Sequence, residues 1–205
     1  MKTIKKIFIC LLFKYACCFF SSEAIAIAKD STRIGDRLFM PALQMGYINH
    51  NVDNISEGLI IQTSIEYRTK SNFLFRLNYD DFSGRINIKD ENNNQYVAKV
   101  PLSELIGGIG YRLNSKKHHT FVLVQTGFRF YELPNIENNN EILSISQSNE
   151  QIMSLRYTLG YEYEFLKNIF FNLELFVGHF TEEKDYWSND RPFFGATLGL
   201  STTLF

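Results

Sequence analysis

The sequence predicts an all-β fold: an eight-stranded, antiparallel, up-and-down transmembrane β-barrel that follows a cleaved signal peptide. Three observations predict it. The N-terminal segment has the pattern of an export signal, eight later segments alternate between apolar and polar residues, and the connections between those segments alternate between short and long. No run of about 20 apolar residues follows the N-terminal segment, so no helix of the exported chain is expected to cross a bilayer.

The composition excludes two classes of protein. With 205 residues, a single domain is expected. The formal net charge is −1, so no surface is predicted that neutralises a row of phosphates, and nucleic acid is not an expected partner. Aromatic residues make up 15% of the chain, which is too much apolar surface for a disordered acidic protein.

The N-terminal segment has the order of parts found in a secretory signal peptide. Residues 2–6 carry three lysines, residues 7–20 are apolar except for Lys14, and small residues follow. A positive start, a short apolar stretch and small side chains at the cleavage site are what a signal peptidase recognises. An uncleaved membrane anchor is disfavoured because Lys14 divides the apolar stretch into pieces too short to span a bilayer.

Cleavage fits after Ala26 or after Ala28, and we prefer Ala28. This choice divides the chain into a signal peptide of residues 1–28 and a barrel domain of residues 29–205. All three cysteines lie in the signal peptide, at Cys10, Cys17 and Cys18. The exported domain is therefore expected to contain no disulfide and no thiolate metal site.

Each predicted strand is a segment in which apolar and polar residues alternate. Between residues 59 and 67 the odd positions read Leu, Ile, Thr, Ile and Tyr, whereas the even positions read Ile, Gln, Ser and Glu. Residues 73–79, 153–165 and 169–177 show the same period of two. Such alternation is typical of a strand and not of a helix. The contrast is weaker in the first and last segments. The predicted strands are residues 40–50, 58–69, 73–83, 102–113, 120–131, 152–165, 169–180 and 192–205.

The connections between these strands fall into two classes. Three are short, namely residues 70–72, 114–119 and 166–168. Four are longer and rich in Asn, Asp, Glu and Lys, namely residues 51–57, 84–101, 132–151 and 181–191. Short turns on one side, long polar loops on the other and an even number of strands are the pattern of an outer-membrane barrel. Within the second long connection, residues 85–89 and 96–100 are able to extend a hairpin beyond the membrane.

The short turns predict the register of two hairpins. A three-residue loop at 70–72 pairs Glu66 with Arg76, and a four-residue loop at 115–118 pairs Glu104 with Arg129. Both pairs then lie on the polar faces of their strands, whereas a slip of one residue would move a charge to the apolar face. Asparagine tolerates the left-handed conformation that ends a three-residue loop, which suits Asn72 in the first of these turns.

The polar face of the strands carries a set of long charged side chains. The interior of an eight-stranded barrel is barely wide enough for its own side chains. We therefore expect these residues to fill the barrel as a mutually neutralising network and not to line a pore, since an unpaired buried charge costs several kcal/mol. The predicted network is Glu66, Arg68, Arg76, Glu104, Arg112, Arg129, Arg156, Glu162, Glu164 and Glu174.

Alternation alone does not determine whether the apolar face points outward to lipid or inward to a ligand, as it does in a soluble lipocalin-like barrel. The distribution of aromatic residues favours lipid. Apolar-face aromatics collect beside the short turns at Tyr67, Phe73, Tyr111, Tyr163 and Phe165, and beside the long loops at Tyr79 and Phe130. Two such groups match the two interfacial girdles of a membrane barrel.

The exported chain as a whole resembles the small eight-stranded outer-membrane barrels of the OmpX and OmpA-barrel type. The export signal, the eight alternating segments and the last strand, residues 194–205, carry this resemblance. Phe205 at the end of that strand resembles the signal read by the outer-membrane assembly machinery, although Ser201 and Thr203 on the same face depart from the usual pattern. The resemblance implies a monomer in the outer membrane, with outer-membrane lipid, lipopolysaccharide and the assembly machinery as partners. The family has several activities, so the resemblance does not choose among them.

The histidines are the candidates for chemistry. His118 and His119 lie in a short turn beside two lysines, where a solvated turn is expected rather than a metal pair. Outer-membrane lipid A deacylases carry a His-x-Ser motif near the position of His179, but the third residue here is Thr181, and no suitably spaced Glu follows. The requirement for a Ser, a His and an orienting acid is not met. No catalytic, metal-binding or cofactor-binding residue is predicted.

The favoured function is a non-enzymatic outer-membrane barrel with a structural or surface-binding role performed by its long loops. Three alternatives stay open at this point. They are an enzyme that modifies lipid A, an outer-membrane component of a secretion or conjugation apparatus, and a soluble periplasmic lipocalin-like binder.

Overall fold

The computed structural model describes residues 37–50, 58–89, 95–139, 142–183 and 191–203. These residues form a closed antiparallel barrel in which each strand pairs with its sequence neighbours and the first also pairs with the last. The described residues include no helix that is long and apolar enough to cross a membrane. The predicted signal peptide and Phe205 lie outside the described residues. The strands are β1 (Arg37–Asn49), β2 (Gly58–Arg68), β3 (Phe73–Lys89), β4 (Gln95–Ser115), β5 (His118–Asn139), β6 (Ile142–Leu166), β7 (Ile169–Phe180) and β8 (Phe193–Thr203).

The four central strands are longer than the sequence predicts. β3 and β4 continue as a paired hairpin as far as Lys89 and Gln95, which confirms the expected extension of that connection. The fifth connection was predicted to be a polar loop over residues 132–151. This prediction was wrong, because β5 and β6 stay paired up to Asn139 and Ile142. A strand with polar residues on both faces lacks the alternation by which strands are recognised, so this hairpin gave no sequence signal.

The short hairpins have the predicted register, and their asparagines adopt the left-handed backbone. The predicted four-residue loop at 115–118 was wrong in length, because Ser115 pairs with His118 and only Lys116 and Lys117 form the turn. Asn72 has φ 68° and Asn168 has φ 66°, both in the left-handed region. The Thr69 N–H donates to the Phe73 carbonyl at 2.8 Å and closes the first turn. Glu66 lies opposite Arg76, and Glu104 lies opposite Arg129, as expected.

The apolar face of the sheet is the outer face of the barrel. Phe75, Tyr157 and Leu173 are 48%, 46% and 41% exposed, whereas Glu66 and Arg76 are only 3% and 5% exposed. A lipocalin-like barrel would show the opposite arrangement, so that alternative was wrong.

Exposed aromatic side chains lie near both ends of this outer face. Tyr67, Phe73, Tyr111 and Phe165 are exposed beside the short turns, whereas Tyr163 there is half-buried against His118. Tyr79 and Phe130 are exposed towards the other end. We call the end with the short turns the turn end and the opposite end the loop end.

The interior is not polar throughout. Near the loop end, the inward-facing side chains form an apolar cluster in which the rings of Phe180 and Phe193 pack at a tilt of 36°, with 5.2 Å between their centroids. A smaller apolar cluster of Leu74, Phe121 and Leu123 lies towards the turn end. The barrel core therefore combines buried ion pairs with apolar layers. The loop-end cluster is Ile48, Ile60, Phe82, Val100, Leu102, Tyr131, Ile152, Phe176, Phe180 and Phe193.

Candidate functional site

Six charged side chains from five strands form a continuous chain of ion pairs in the turn-end half of the barrel, which we call the lower cluster. Glu162 accepts hydrogen bonds from Arg112 and, at 2.6 Å, from Arg68 Nη2. Arg68 also donates to Glu66, which contacts Arg76 Nη2 at 2.6 Å. The lower cluster consists of Glu66, Arg68, Arg76, Arg112, Glu162 and Glu174.

The chain of ion pairs continues from Arg76 to the far side of the barrel. Arg76 Nη1 donates to Glu174 Oε1 at 2.7 Å, and Gln44 Nε2 donates to the same oxygen at 2.9 Å. Thr197 Oγ1 in turn donates to Gln44 Oε1 at 2.8 Å. Side chains of β1 and β8 are thus joined to the lower cluster. This polar network links strands that are not neighbours in the sheet and fixes their side chains against each other.

A second group, the upper cluster, lies nearer the loop end and consists of Asp80, Glu104, Arg129 and Arg156. Arg156 Nη2 lies 2.6 Å from Asp80 Oδ2 and also contacts Glu104. Arg129 Nη2 lies 3.4 Å from Glu104 Oε1. Ser154 Oγ donates to Glu104 Oε1 at 2.5 Å, so this carboxylate receives three donors.

His50, the residue after β1, faces the upper cluster. Its Nδ1 lies 3.4 Å from Nη1 of Arg129. The ring is fully buried, and its centroid lies 5.4 Å from that of Phe82. A ring nitrogen of histidine is able to accept a hydrogen bond from a guanidinium.

Aromatic rings cover the guanidinium groups of both clusters. The Arg129 guanidinium carbon lies 4.4 Å from the ring centroid of Phe193 and 4.8 Å from those of Phe82 and Phe180. Arg76 lies 4.6 Å from the ring of Phe121. The electron-rich faces of these rings stabilise desolvated cations and also fill the space around them. The aromatic layer and the ion pairs therefore act together.

The charges of the two clusters balance. Five arginines face five carboxylates, and each arginine lies within 3.4 Å of at least one carboxylate oxygen. All ten side chains are buried. Balanced, mutually bonded charges avoid the cost of an isolated buried ion, which is several kcal/mol.

Nine of the ten residues predicted for the interior network lie in these clusters, but Glu164 does not. It is half-buried, and its Oε1 accepts a hydrogen bond from the Asn168 N–H at 3.1 Å across the β6–β7 turn. The strand pairing shifts between Glu164 and Leu166, which directs this carboxylate to the turn. Asp80, which was not in the predicted network, is the fifth carboxylate of the two clusters. Its position on the polar face of β3 was the signal that could have identified it.

A cavity of about 720 Å³ opens on the barrel wall at the loop end. It lies where β4 and β5 separate, since their pairing ends at Leu102 and Tyr131 while each continues within its own hairpin. Carboxylates, aromatic rings and side-chain amides line it, including Asp81, Phe130 and Gln151. We call this cavity the hairpin cleft.

Solved structures with the same arrangement of strands are outer-membrane proteins. OprG from Pseudomonas aeruginosa superimposes with a TM-score of 0.57 and 9% identity over 84% of this chain and 97% of that chain. Neisserial surface protein A superimposes with a TM-score of 0.55 and 10% sequence identity, over 82% of this chain and 97% of that chain. This chain has the fold of the small outer-membrane barrels. Ail, the attachment invasion locus protein of Yersinia pestis, also matches in its complex with the heparin analogue sucrose octasulfate. Its TM-score is 0.52 at 8% identity, over 83% of this chain and all of that one.

No protein-family profile matches the sequence of this outer-membrane-type barrel, and no curated protein matches it. The similarity to the solved barrels is therefore one of fold, and it assigns no ligand. The chemistry of this chain has to be argued from its own residues.

His118 and His119 are neighbours in β5 but point to opposite faces of the sheet, so the expected solvated turn was wrong for His119, which is buried. His118 Nδ1 is 2.6 Å from the hydroxyl of Tyr161, and His119 is buried against Phe170. His179 stacks on Tyr157 at 6.5 Å on the outer face, while Thr181 Oγ1 donates to the Met153 carbonyl at 3.4 Å. Among the described residues, no group of three or more His, Cys, Asp or Glu is placed to hold a metal ion.

Proposed function

We propose that this protein is an integral, monomeric protein of the outer membrane that acts at the cell surface and not as a channel. The observation that carries this proposal is the division of the barrel into an apolar outer face and a charge-balanced, filled interior. The apolar face suits lipid, and closure of the sheet leaves no backbone edge in hydrocarbon. Outer-membrane lipid and lipopolysaccharide would surround this face after the assembly machinery has inserted the barrel.

The filled interior argues against solute passage. The upper and lower clusters cross the barrel lumen, and the loop-end apolar cluster lies beyond them. An ion on this route would have to break several buried ion pairs, each of which costs several kcal/mol to separate. A structural or binding role is the better explanation for such a barrel.

The two long hairpins supply the surface for that role. Beyond the pair Phe82 and Leu102, the β3–β4 hairpin continues for seven residue pairs, which is about 24 Å at roughly 3.4 Å per residue. Beyond the pair Tyr131 and Glu150, the β5–β6 hairpin continues for eight pairs, or about 27 Å. Rigid scaffolds commonly carry their binding residues on such projections.

Cysteine labelling on intact cells tests the topology. Since all three cysteines lie in the predicted signal peptide, a single new cysteine in the exported chain is a clean reporter. We expect Val97→Cys in the β3–β4 hairpin, where Val97 is 67% exposed, to react with an impermeant maleimide. Ser71→Cys in a short turn is the matched control and should react only after the outer membrane is opened. The reverse pattern would refute the proposed orientation.

Fractionation and conductance test the rest of the proposal. The protein should remain with the outer membrane and migrate differently on a gel before and after boiling. Reconstituted in planar bilayers, it should produce no stable conductance steps. Recovery in the osmotic-shock fraction would contradict the membrane location, and steady channels would contradict the closed interior.

We propose no enzymatic activity for the barrel. His179 stacks on a tyrosine, and the neighbouring Thr181 hydroxyl is engaged by a backbone carbonyl. A hydrolase of the deacylase kind needs a nucleophile, a base and an orienting acid in contact. Mass spectrometry of lipid A from cells with wild-type protein and with His179→Ala should give identical spectra. A difference in acylation would establish the lipid A-modifying alternative.

A further inference from the structure

A groove runs along β5 on the outer face of the barrel and begins near the turn between β4 and β5. Two outward-facing residues of β5, Thr120 and Val122, have short side chains. A cavity of about 120 Å³ lies there, because short side chains stand between longer ones. We call it the β5 groove. The register partners of the two short residues are Leu113 and Tyr111 on β4 and Tyr161 and Leu159 on β6.

The β5 groove belongs to the apolar outer face. Tyr111, Val122 and Leu159 line it and are exposed, and the outward positions of β5 continue with Val124 and Phe128, which are also exposed. The groove is therefore continuous with the surface that suits lipid. A recess of this kind in such a surface fits a hydrocarbon chain and offers nothing to a polar solute.

Two lysines lie at the turn-end mouth of the groove. Lys116 and Lys117 form the β4–β5 turn and are exposed, and Thr120 follows Lys117 by three residues, which is at most about 10 Å. Neither ammonium group forms an ion pair with a described residue. The acidic residue next to this turn is Glu164, which is half-buried and accepts a hydrogen bond from the Asn168 N–H. Positive charge thus stands uncompensated at the end of an apolar groove.

Aromatic side chains with polar tips complete the mouth of the groove. His118 Nδ1 lies 2.6 Å from the Tyr161 hydroxyl, and the His118 ring centroid lies 5.1 Å from that of Tyr163. Side chains with an apolar body and a polar tip favour the boundary between hydrocarbon and lipid headgroups. Apart from Glu164, the described residues of β4, β5 and β6 on the outer face near this turn are uncharged or basic.

We propose that the β5 groove and the lysines of its turn bind a phospholipid with a negatively charged headgroup. One acyl chain lies in the groove, and the phosphate contacts the ammonium groups of Lys116 and Lys117. The lysine stems pack on apolar surface while their charged ends reach the headgroup, and each lysine near an anionic lipid adds to the attraction. The inference rests on the proposed function, which places the turn end in the periplasmic leaflet, where the lipid is phospholipid and not lipopolysaccharide.

The other two short turns provide a comparison within the same molecule. Each carries one exposed lysine, Lys70 or Lys167. A lysine beside large side chains attracts headgroups but has no recess next to it for an acyl chain. The outward pairs next to these turns consist of large side chains, namely Tyr67 with Phe75 and Tyr163 with Phe171.

Native mass spectrometry of the refolded exported barrel in an uncharged detergent tests the inference. The probe is dioleoyl phosphatidylglycerol, and dioleoyl phosphatidylcholine, which has the same acyl chains, is the control lipid. We expect one saturable site that prefers phosphatidylglycerol by at least about tenfold. The Lys116→Gln, Lys117→Gln double variant should lose this preference, because the two attractive charges are removed. The Lys70→Gln, Lys167→Gln double variant is the matched control, since it removes the same charge from the same end of the barrel, and its affinity should stay within about twofold of wild type.

A second substitution tests the groove without changing any charge. Val122→Phe fills the recess and should weaken phosphatidylglycerol binding by several-fold. Val177→Phe on β7 is the matched control, because Val122 and Val177 are 44% and 46% exposed on the same outer face, and it should bind like wild type. The gel-mobility shift confirms that each variant is folded. In zwitterionic lipid the lysine variants should be as stable as wild type, since the lysines have no anionic partner there.

Four results would overturn the inference. They are equal binding of the two lipids, equal weakening by the two pairs of lysine substitutions, wild-type affinity in Val122→Phe, and binding of glycerol 3-phosphate or lipid A as tightly as phosphatidylglycerol. A folded barrel without the lipid preference refutes the site alone. A barrel that binds phosphatidylglycerol but is absent from the outer membrane refutes the proposed function alone.

Discussion

Glu104 is the residue on which the upper cluster depends, and Glu104→Gln tests the charge balance of the interior. Its carboxylate is fully buried and accepts from Arg129, Arg156 and Ser154. The substitution keeps the shape of the side chain but removes its charge, which leaves five buried arginines facing four carboxylates. Breaking a buried pair by neutralising one partner costs about 3–5 kcal/mol. We expect the free energy of unfolding to fall by that amount.

The comparison with Arg129→Met separates charge balance from packing. Arg129 is enclosed by three aromatic rings, which an unbranched apolar side chain can still contact. In the double variant with Glu104→Gln, one positive and one negative charge are removed together, and the pair of Arg156 and Asp80 is retained. The double variant should therefore lose less stability than the sum of the two single variants, by about 1–3 kcal/mol.

Urea titration of the barrel refolded into phospholipid vesicles measures these differences, with the folded fraction read from gel mobility. Lys117→Gln in an exposed turn is the control and should change stability by no more than about 0.5 kcal/mol. If Glu104→Gln behaves like this control, or if the double variant is additive, the interior is not held together by balanced charge.

Three further predictions concern the outer face, the close strand contacts and a turn. Leu175 is 52% exposed on the outer face, and Leu175→Arg should destabilise the barrel in vesicles by about 2–4 kcal/mol, whereas Leu175→Ala should destabilise it less. Equal urea midpoints for the two variants would mean that this face does not contact lipid. Gly108→Ala should lower the free energy of unfolding by about 1–3 kcal/mol, because the added Cβ would lie 2.1 Å from the Val124 carbonyl oxygen. Gly107→Ala is the control and should leave the stability unchanged in a thermal gel-shift series, because its Cβ would meet no atom nearer than 3.7 Å. Asn72→Ala should lower the free energy of unfolding by about 1–2 kcal/mol, because residue 72 has a positive φ that alanine adopts only with strain. Asn72→Gly should lower it less, because glycine adopts positive φ freely, and the same urea midpoint for both variants would exclude backbone strain as the cause.

The strand number and the register of the short hairpins could be predicted because they depend on local signals. A period of two marks any strand with one apolar face, and an asparagine at the end of a short turn fixes where the two strands meet. The pair Glu66 with Arg76 follows from those two facts. The pair Glu104 with Arg129 follows from keeping both charges on the polar faces of their strands, since no asparagine ends that turn. The outer ends of β5 and β6 carry no such alternation, so their pairing was missed.

The aromatic and apolar residues inside the loop end were also not predicted. Phe82, Phe180 and Phe193 share the inward face with the charged residues, although the alternation treats that face as polar. The alternation assigns one character to the whole inward face of a strand. In the barrel, the inward residues near the loop end are apolar, whereas those further down the same strand are charged. Only the packed barrel shows that these rings enclose Arg129.

By itself the sequence determined which residues share a face, because side chains in a strand alternate whatever the surroundings. The alternation did not determine which face became the interior, because a linear pattern carries no curvature. The aromatic residues favoured an outward apolar face, and the curvature of the closed sheet places it there. Closure of the barrel then brought together charges that are distant in the chain: Arg68 meets Glu162 across 94 residues, and Arg76 meets Glu174 across 98. The hairpin cleft has a more local origin, since its walls belong to two hairpins that the consecutive strands β4 and β5 hold side by side.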